Sequence, residues 1–279
     1  MSRLFNCVQL RDTSSLMPPQ PANMRITVLG SGTSSGVPVI ACDCEVCRSS
    51  DPHNRRLRSS ALVEVDAIKI LIDTGPDLRQ QCLENDIRRI DAVLYTHEHA
   101  DHIFGCDDLR ILNFVQGQEI PAFGHSRTIS HLRKVYSYFT NPFQNGGGIP
   151  KVAFHEVSEA FTFHGILIEP IPVWHGKLEI YGYRIGPFAY VNDCSGIPDR
   201  SLERLKGLKV LILDALRYRS HPTHFNLEEA VQTAQMLGAE RTFFTHMTHD
   251  VDHRKANADL PEGMELAFDR LQIDIDCAW

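Results

Sequence analysis

The chain has 279 residues, 43% hydrophobic and 23% charged, with a formal net charge of −7. That length supports one large domain or two small ones around a sizeable core. The acidic balance argues against an electrostatic nucleic-acid binder, which carries a basic face, and no apolar run is long enough for a membrane span. The one basic run, His53 to Arg58, reads as a solvated loop.

Residues 1–23 are polar and end Pro-rich, without the apolar centre of a secretory signal. They predict a disordered extension, with a single domain over 24–279, Met24 as an alternative start and the cytoplasm as compartment. The elements then follow in order. MRITVLGSG (24–32) predicts a strand running into a Gly/Ser turn. ALVEVDAIKILIDTG (61–75) predicts two strands, the second almost wholly apolar and therefore buried. PDLRQQCLEND (76–86) opens with Pro76 in a first helical turn. DAVLYTH (91–97) is a buried strand ending on a histidine. GCDDLRILNF (105–114) predicts a helix, as does SRTISHLRKVYSYF (126–139), with Ser126 as its cap. NPFQNGGGIP (141–150) is a loop whose Gly-rich segment, Asn145 to Gly148, reads as a surface loop or a substrate cover. Strands follow at 166–175, 179–186, 188–193 and 209–215. A helix over 226–238 ends in a glycine stop, a strand covers 241–246, and strand-like segments close the chain over 264–275.

Fourteen histidines is a high count, and they group at 97, 99, 102, then 221, 224, then 246, 249, 253. YTHEHADH places His97, His99, Asp101 and His102 in one loop after an apolar strand. Imidazole with carboxylate suits a divalent cation such as Zn or Mn. Four ligands so close together crowd one ion and divide naturally between two.

THEHADH resembles the signature of the metallo-β-lactamase superfamily. LIDTG, PVWHG, FAYVNDCSG and FFTHMTHD are similar, in order, to the remaining motifs, from about Met24 to the end of the chain. The resemblance implies an αββα sandwich of two mixed sheets flanked by helices. It implies that His97, His99 and His175 bind one active-site metal, and Asp101, His102 and His246 a second. Asp193 bridges them, and Asp73 bonds a ligand imidazole. Two ions so held acidify a shared water.

CDCEVC sets three thiols, Cys42, Cys44 and Cys47, within six positions. The remaining cysteines are scattered, unlike a disulfide framework. Thiolates favour a closed tetrahedral zinc. His249, three residues past His246, is the unassigned histidine nearest the active-site loops and completes a structural zinc site. GSGTSSGVP (30–38), the cysteine trio and the H-x-x-H are similar to the phosphoribosyl cyclic phosphate phosphodiesterase branch. That similarity implies a metal-dependent phosphodiesterase opening small cyclic phosphodiesters, with a homodimer as a common state. His224, before the helix at Asn226, matches the branch's histidine that contacts phosphate or protonates the leaving oxygen. His221 reads as an exposed loop histidine. Asp107, Asp108 and Arg110 read as a structural ion-pair network. Three alternatives stand beside this reading. A tRNA 3′-processing endonuclease would need a basic arm, which the sequence lacks, so long nucleic acid is disfavoured. A thioesterase or lactonase usually lacks the cysteine trio. A zinc-stapled binding protein would be expected to have lost some of the seven candidate ligands.

Overall fold

The computed structural model describes residues 23–139 and 148–276. The expected extension over 1–22 and loop residues 145–147 lie outside them; Asn23 already belongs to the first strand. In chain order the elements are β1 (Asn23–Gly30), β2 (Ser60–Val65), β3 (Ile68–Ile72), α1 (Leu78–Glu84), β4 (Ala92–Tyr95), α2 (Ala100–Ile103), α3 (Leu109–Gln116), β5 (Ile120–Gly124) and α4 (Ser126–Val135). Then come β6 (Val152–Glu156), β7 (Phe161–Phe163), β8 (Ile166–His175), β9 (Leu178–Ile185), β10 (Phe188–Val191), α5 (Asp199–Arg204), β11 (Val210–Asp214), α6 (Leu227–Leu237), β12 (Arg241–Thr245), α7 (His253–Asp259), β13 (Met264–Leu266) and β14 (Gln272–Asp276).

They form two seven-stranded mixed sheets, ordered β14-β1-β2-β3-β4-β5-β6 and β13-β12-β11-β10-β9-β8-β7. Side chains alternate across a strand, so a strand buried on both faces is apolar throughout. In β3, Ile70 and Ile72 face the inter-sheet core while Leu71 packs outward. In β11, Val210 and Ile212 face inward while Leu211 and Leu213 pack outward with Ala230 and Ala234 of α6. Three apolar layers therefore alternate with two sheets and two helical shells, giving the expected αββα sandwich. No helix among the described residues is long and apolar enough to cross a membrane.

Some local expectations are corrected. α1 begins at Leu78, and Pro76 lies outside it; Asp77 at its cap spends its carboxylate on Arg58 at 2.9 Å instead of on the helix. The cap of α4 is His125, whose ring accepts the Arg127 N–H at 3.2 Å, and Ser126 is already helical. α6 starts as expected, on an Asn226–Glu229 capping box, and stops at Gly238 with φ +67°. The closing segment splits, β13 edging one sheet and β14 the other. The run His53–Arg58 is no solvated loop: Arg56 is 2% exposed and donates to the carbonyls of Thr248 and Val251 at 2.9 and 2.7 Å.

Candidate metal centre

The C-terminal ends of β3, β4, β8, β10, β11 and β12 meet at one rim of the sandwich. β3 and β4 run parallel, as do β10, β11 and β12. Asp73, His97, Asp193 and His246 follow the ends of β3, β4, β10 and β12, and His175 and Asp214 end β8 and β11. Rigid buried strands thus fix where the polar side chains emerge. Asp73, Asp193 and His246 each adopt left-handed backbone, with φ of 63°, 54° and 64°. For non-glycine residues that conformation is costly and gathers at functional sites.

Two donor groups share Asp193. His97, His99, His175 and Asp193 converge on one side, and Asp101, His102, Asp193 and His246 on the other, with donor atoms of each group within 4.8 Å of one another. His97 Nε2 lies 2.8 Å from His99 Nδ1 and 3.7 Å from Asp193 Oδ2. His102 Nε2 lies 3.2 Å from Asp101 Oδ2 and 3.4 Å from Asp193 Oδ1, and His246 Nδ1 is 3.2 Å from that same oxygen. The second group is wholly buried; the first opens to solvent at His99. The outer nitrogens are held from behind. His102 Nδ1 meets Asp73 Oδ2 at 2.7 Å, and Asp73 also accepts from Thr96 N–H and Oγ1 at 2.8 Å. His175 Nδ1 donates to the Thr223 carbonyl at 2.8 Å.

Four aspartates, 73, 101, 193 and 214, are buried here, and their recorded ion-pair partners are all histidines. Buried carboxylates are normally neutralised or bound to metal. Burial pushes the imidazoles of His97 and His246 down, the latter to about 4, so both present lone pairs at neutral pH. Burial opposes a charge on His102 too, but Asp193, Asp101 and Asp73 raise it well above its ordinary value. His102 Nε2 and Asp193 Oδ1 are buried without a hydrogen-bond partner. A divalent cation between such atoms answers both the excess carboxylate charge and the orphaned donors, so the residues fit the metals that the sequence implies.

Beside this cluster, His224 Nδ1 lies 3.1 Å from Asp214 Oδ2, which also accepts the Cys194 N–H at 3.0 Å. The His224 ring stands 4.7 Å from His175 and 5.0 Å from His246, centre to centre. Burial disfavours the His224 imidazolium, yet Asp214 outweighs it and raises the pKa. His221 is half-buried, not an exposed loop residue, with its ring 5.1 Å from His224.

The second cluster lies beyond β12. Cys42, Cys44 and Cys47 place Sγ at 3.1, 3.4 and 3.5 Å from His249 Nδ1. The Cys47 N–H donates to Cys44 Sγ and lowers that thiol to about 7, which favours the thiolate that ligates zinc. Asp107 pairs with Arg110 at 3.6 Å and accepts the Tyr138 hydroxyl, the structural network expected of it.

Asp214 escaped the sequence reading, although the signal was there: VLILD ends a buried apolar strand on a carboxylate just as ILID does at Asp73. Glu98 also escaped it. It sits between two histidines and receives Arg127 Nε at 2.7 Å and Thr128 Oγ1 at 3.0 Å, anchoring the histidine loop to the first turn of α4.

A family model for a beta-lactamase superfamily domain matches residues 69–247. The chain belongs to the beta-lactamase superfamily. Within that superfamily it is similar to the solved structure of a new diphosphatase from the PhnP family. The two share 46% identity at a TM-score of 0.86, over 92% of this chain and 99% of that one. Ribonuclease Z of Methanopyrus kandleri is 33% identical over 250 residues, covering 76% of this chain and 88% of that protein. An octanoyltransferase of Porphyromonas gingivalis is 38% identical over 260 residues; this chain spans only 52% of that protein's length. Fold and family place the chain in a superfamily of metallo-hydrolases, and its His/Asp cluster is one that could hold divalent metal.

Proposed function

We propose that the protein is a phosphodiesterase that opens small cyclic phosphodiesters, cyclic nucleotides or phosphoribosyl cyclic phosphates. The observation that carries this is the buried His224–Asp214 pair bordering the shared carboxylate Asp193. A sugar oxygen is a poor leaving group, and a positioned imidazolium answers that need. Thioester hydrolysis, whose thiolate leaves readily, has less use for it. The likeness to a PhnP-family diphosphatase supports the same branch.

In this reading His97, His99 and His175 hold one divalent cation, Asp101, His102 and His246 a second, and Asp193 spans both. Zn or Mn bound there supplies an acidified water and neutralises phosphate charge. Asp73 fixes His102 with Nε2 inward. His175 is fixed the same way by the Thr223 carbonyl. His224, its Nδ1 turned to Asp214, gives up the Nε2 proton to the departing oxygen. Glu98 keeps the histidine loop in register against α4. Cys42, Cys44, Cys47 and His249 hold a structural zinc that staples the loop after β1 to the loop carrying His246.

The similarity to ribonuclease Z favours a second reading, cleavage of RNA near a 3′ end. A matched panel separates the two: cyclic nucleotides, ribose 1,2-cyclic phosphate, bis(p-nitrophenyl) phosphate, a thioester, a lactone and a 3′-extended tRNA, each with Mn- or Zn-loaded protein. Turnover of the small diesters alone supports the proposal. Preferential tRNA cleavage transfers support to the second reading, and thioester or lactone turnover without phosphodiester turnover rejects both.

A further inference from the structure

The Gly-rich segment GSGTSSGVP, residues 30–38, enters none of the roles above, yet it reaches the metal centre. We propose that Thr33 is the positioning residue of His246, an inference that rests on the dinuclear reading. Three buried imidazoles of the centre have an oxygen on their outer nitrogen: Thr96 Oγ1 at 3.0 Å from His97 Nδ1, Asp73 Oδ2 at 2.7 Å from His102 Nδ1 and the Thr223 carbonyl at 2.8 Å from His175 Nδ1. His246 is turned the other way. Its Nδ1 faces Asp193, and its Nε2 meets Thr33 Oγ1 at 3.3 Å.

In the dinuclear reading the ion fixes the tautomer. Asp193 Oδ1 and Ser59 Oγ both lie 3.2 Å from His246 Nδ1, and the Ser59 proton is directed to the Gly32 carbonyl at 2.9 Å, so that nitrogen faces oxygen lone pairs. A cation held among them would take the Nδ1 lone pair, leaving the ring proton on Nε2, where Thr33 Oγ1 accepts it. A ligand imidazole whose far N–H is so held keeps its orientation and gains basicity.

The segment is built to carry a threonine to this spot. A Cβ on Gly30 would stand 2.0 Å from the Arg58 carbonyl oxygen, and one on Gly32 2.9 Å from Arg56 Cβ. Only glycine permits that approach. Asp269 fixes the segment from behind, accepting from Ser31 N–H and Oγ at 2.9 and 2.8 Å and from Leu57 N–H at 2.7 Å. Thr33 N–H donates to the Met247 carbonyl at 3.2 Å, and Met247 N–H to Ser31 at 3.0 Å. Thr33 is thus locked to the residue beside the ring it orients.

The test is metal affinity, read by chelator competition and by the visible spectrum of the Co(II)-loaded protein. Thr33→Val keeps the shape and removes the hydroxyl; Thr33→Ser keeps the hydroxyl. Thr33→Val should weaken the ion at Asp101, His102, Asp193 and His246 about 10–100-fold and change the Co(II) spectrum, while Thr33→Ser stays within about threefold of wild type. Equal affinity of Thr33→Val and wild type overturns the role of Thr33 alone. So does a Thr33→Ser loss as large as the valine's, which would mean packing rather than the hydroxyl. Wild-type protein that binds no ion at this group overturns the dinuclear reading, and the role of Thr33 with it.

Discussion

The imidazole–carboxylate cluster and the thiol cluster approach each other to within three residues, at His246 and His249, yet they are held by opposite means. The first hangs on the ends of buried strands from both sheets. Its outer nitrogens are tied to Asp73, Thr96 and Thr223, and one side opens at His99. The second hangs on loops, with three sulfurs closing around one ring nitrogen. An open N/O group anchored on a rigid frame suits chemistry on an incoming substrate. A closed sulfur group suits the fastening of loops that no sheet holds. The same H-x-x-H can serve both, one imidazole in each.

Asp193→Asn should separate the two clusters most strongly, because both halves of the open cluster share that carboxylate. Hydrolysis should fall below detection and metal content drop to the ion at the cysteines. Full metal content by elemental analysis would show that the shared carboxylate is not the bridge. His224→Ala comes next. Turnover of diesters with sugar leaving groups should fall on the order of 10²–10⁴-fold, and that of p-nitrophenyl diesters far less, since p-nitrophenolate leaves without a proton. Equal losses on both would remove the proton-donor role. The double variant Cys44→Ser, Cys47→Ser addresses the other cluster. It should lose one equivalent of zinc and on the order of 10 °C of melting temperature, as each kcal/mol is worth about 2–4 °C and structural zinc contributes several. Unchanged zinc content would sink the staple.

The sequence made the centre more legible than its supports, for a physical reason. Ligands must be His or Asp and must follow strands, so THEHADH, LIDTG and FFTHMTHD stand out against apolar runs. The residues that orient them need only one polar atom in the right place. Thr33, Thr96 and the Thr223 carbonyl carry no compositional mark, and Asp214 differs from a turn aspartate only by burial. The long apolar strands read correctly because burial on both faces leaves no alternation to interpret. β5, β6 and β7 did not: β5 contains Pro121, β6 is mostly half-buried and β7 has three residues. Arg56 misled for the opposite reason, being a charge run whose middle member is swallowed by carbonyls.

The smallest effect probes what lies under the thiol cluster. His253 opens α7, donates its N–H to Asn54 Oδ1 at 2.9 Å, and Asn54 Oδ1 in turn receives Arg56 Nη2 at 3.1 Å. Through Arg56 this group reaches Thr248, next to His249. Burial, then His53 and Arg56, lower the His253 pKa to about 4, against about 6.5 in an unfolded chain. Between those values the unfolded chain binds the extra proton, so stability is full above pH 6.5 and is lost as pH falls towards 4. Denaturant unfolding at pH 7.0, 5.5 and 4.5 should show a shallower acid loss for His253→Phe than for wild type, with the two differing most at pH 4.5. Parallel profiles would assign the acid loss to other groups.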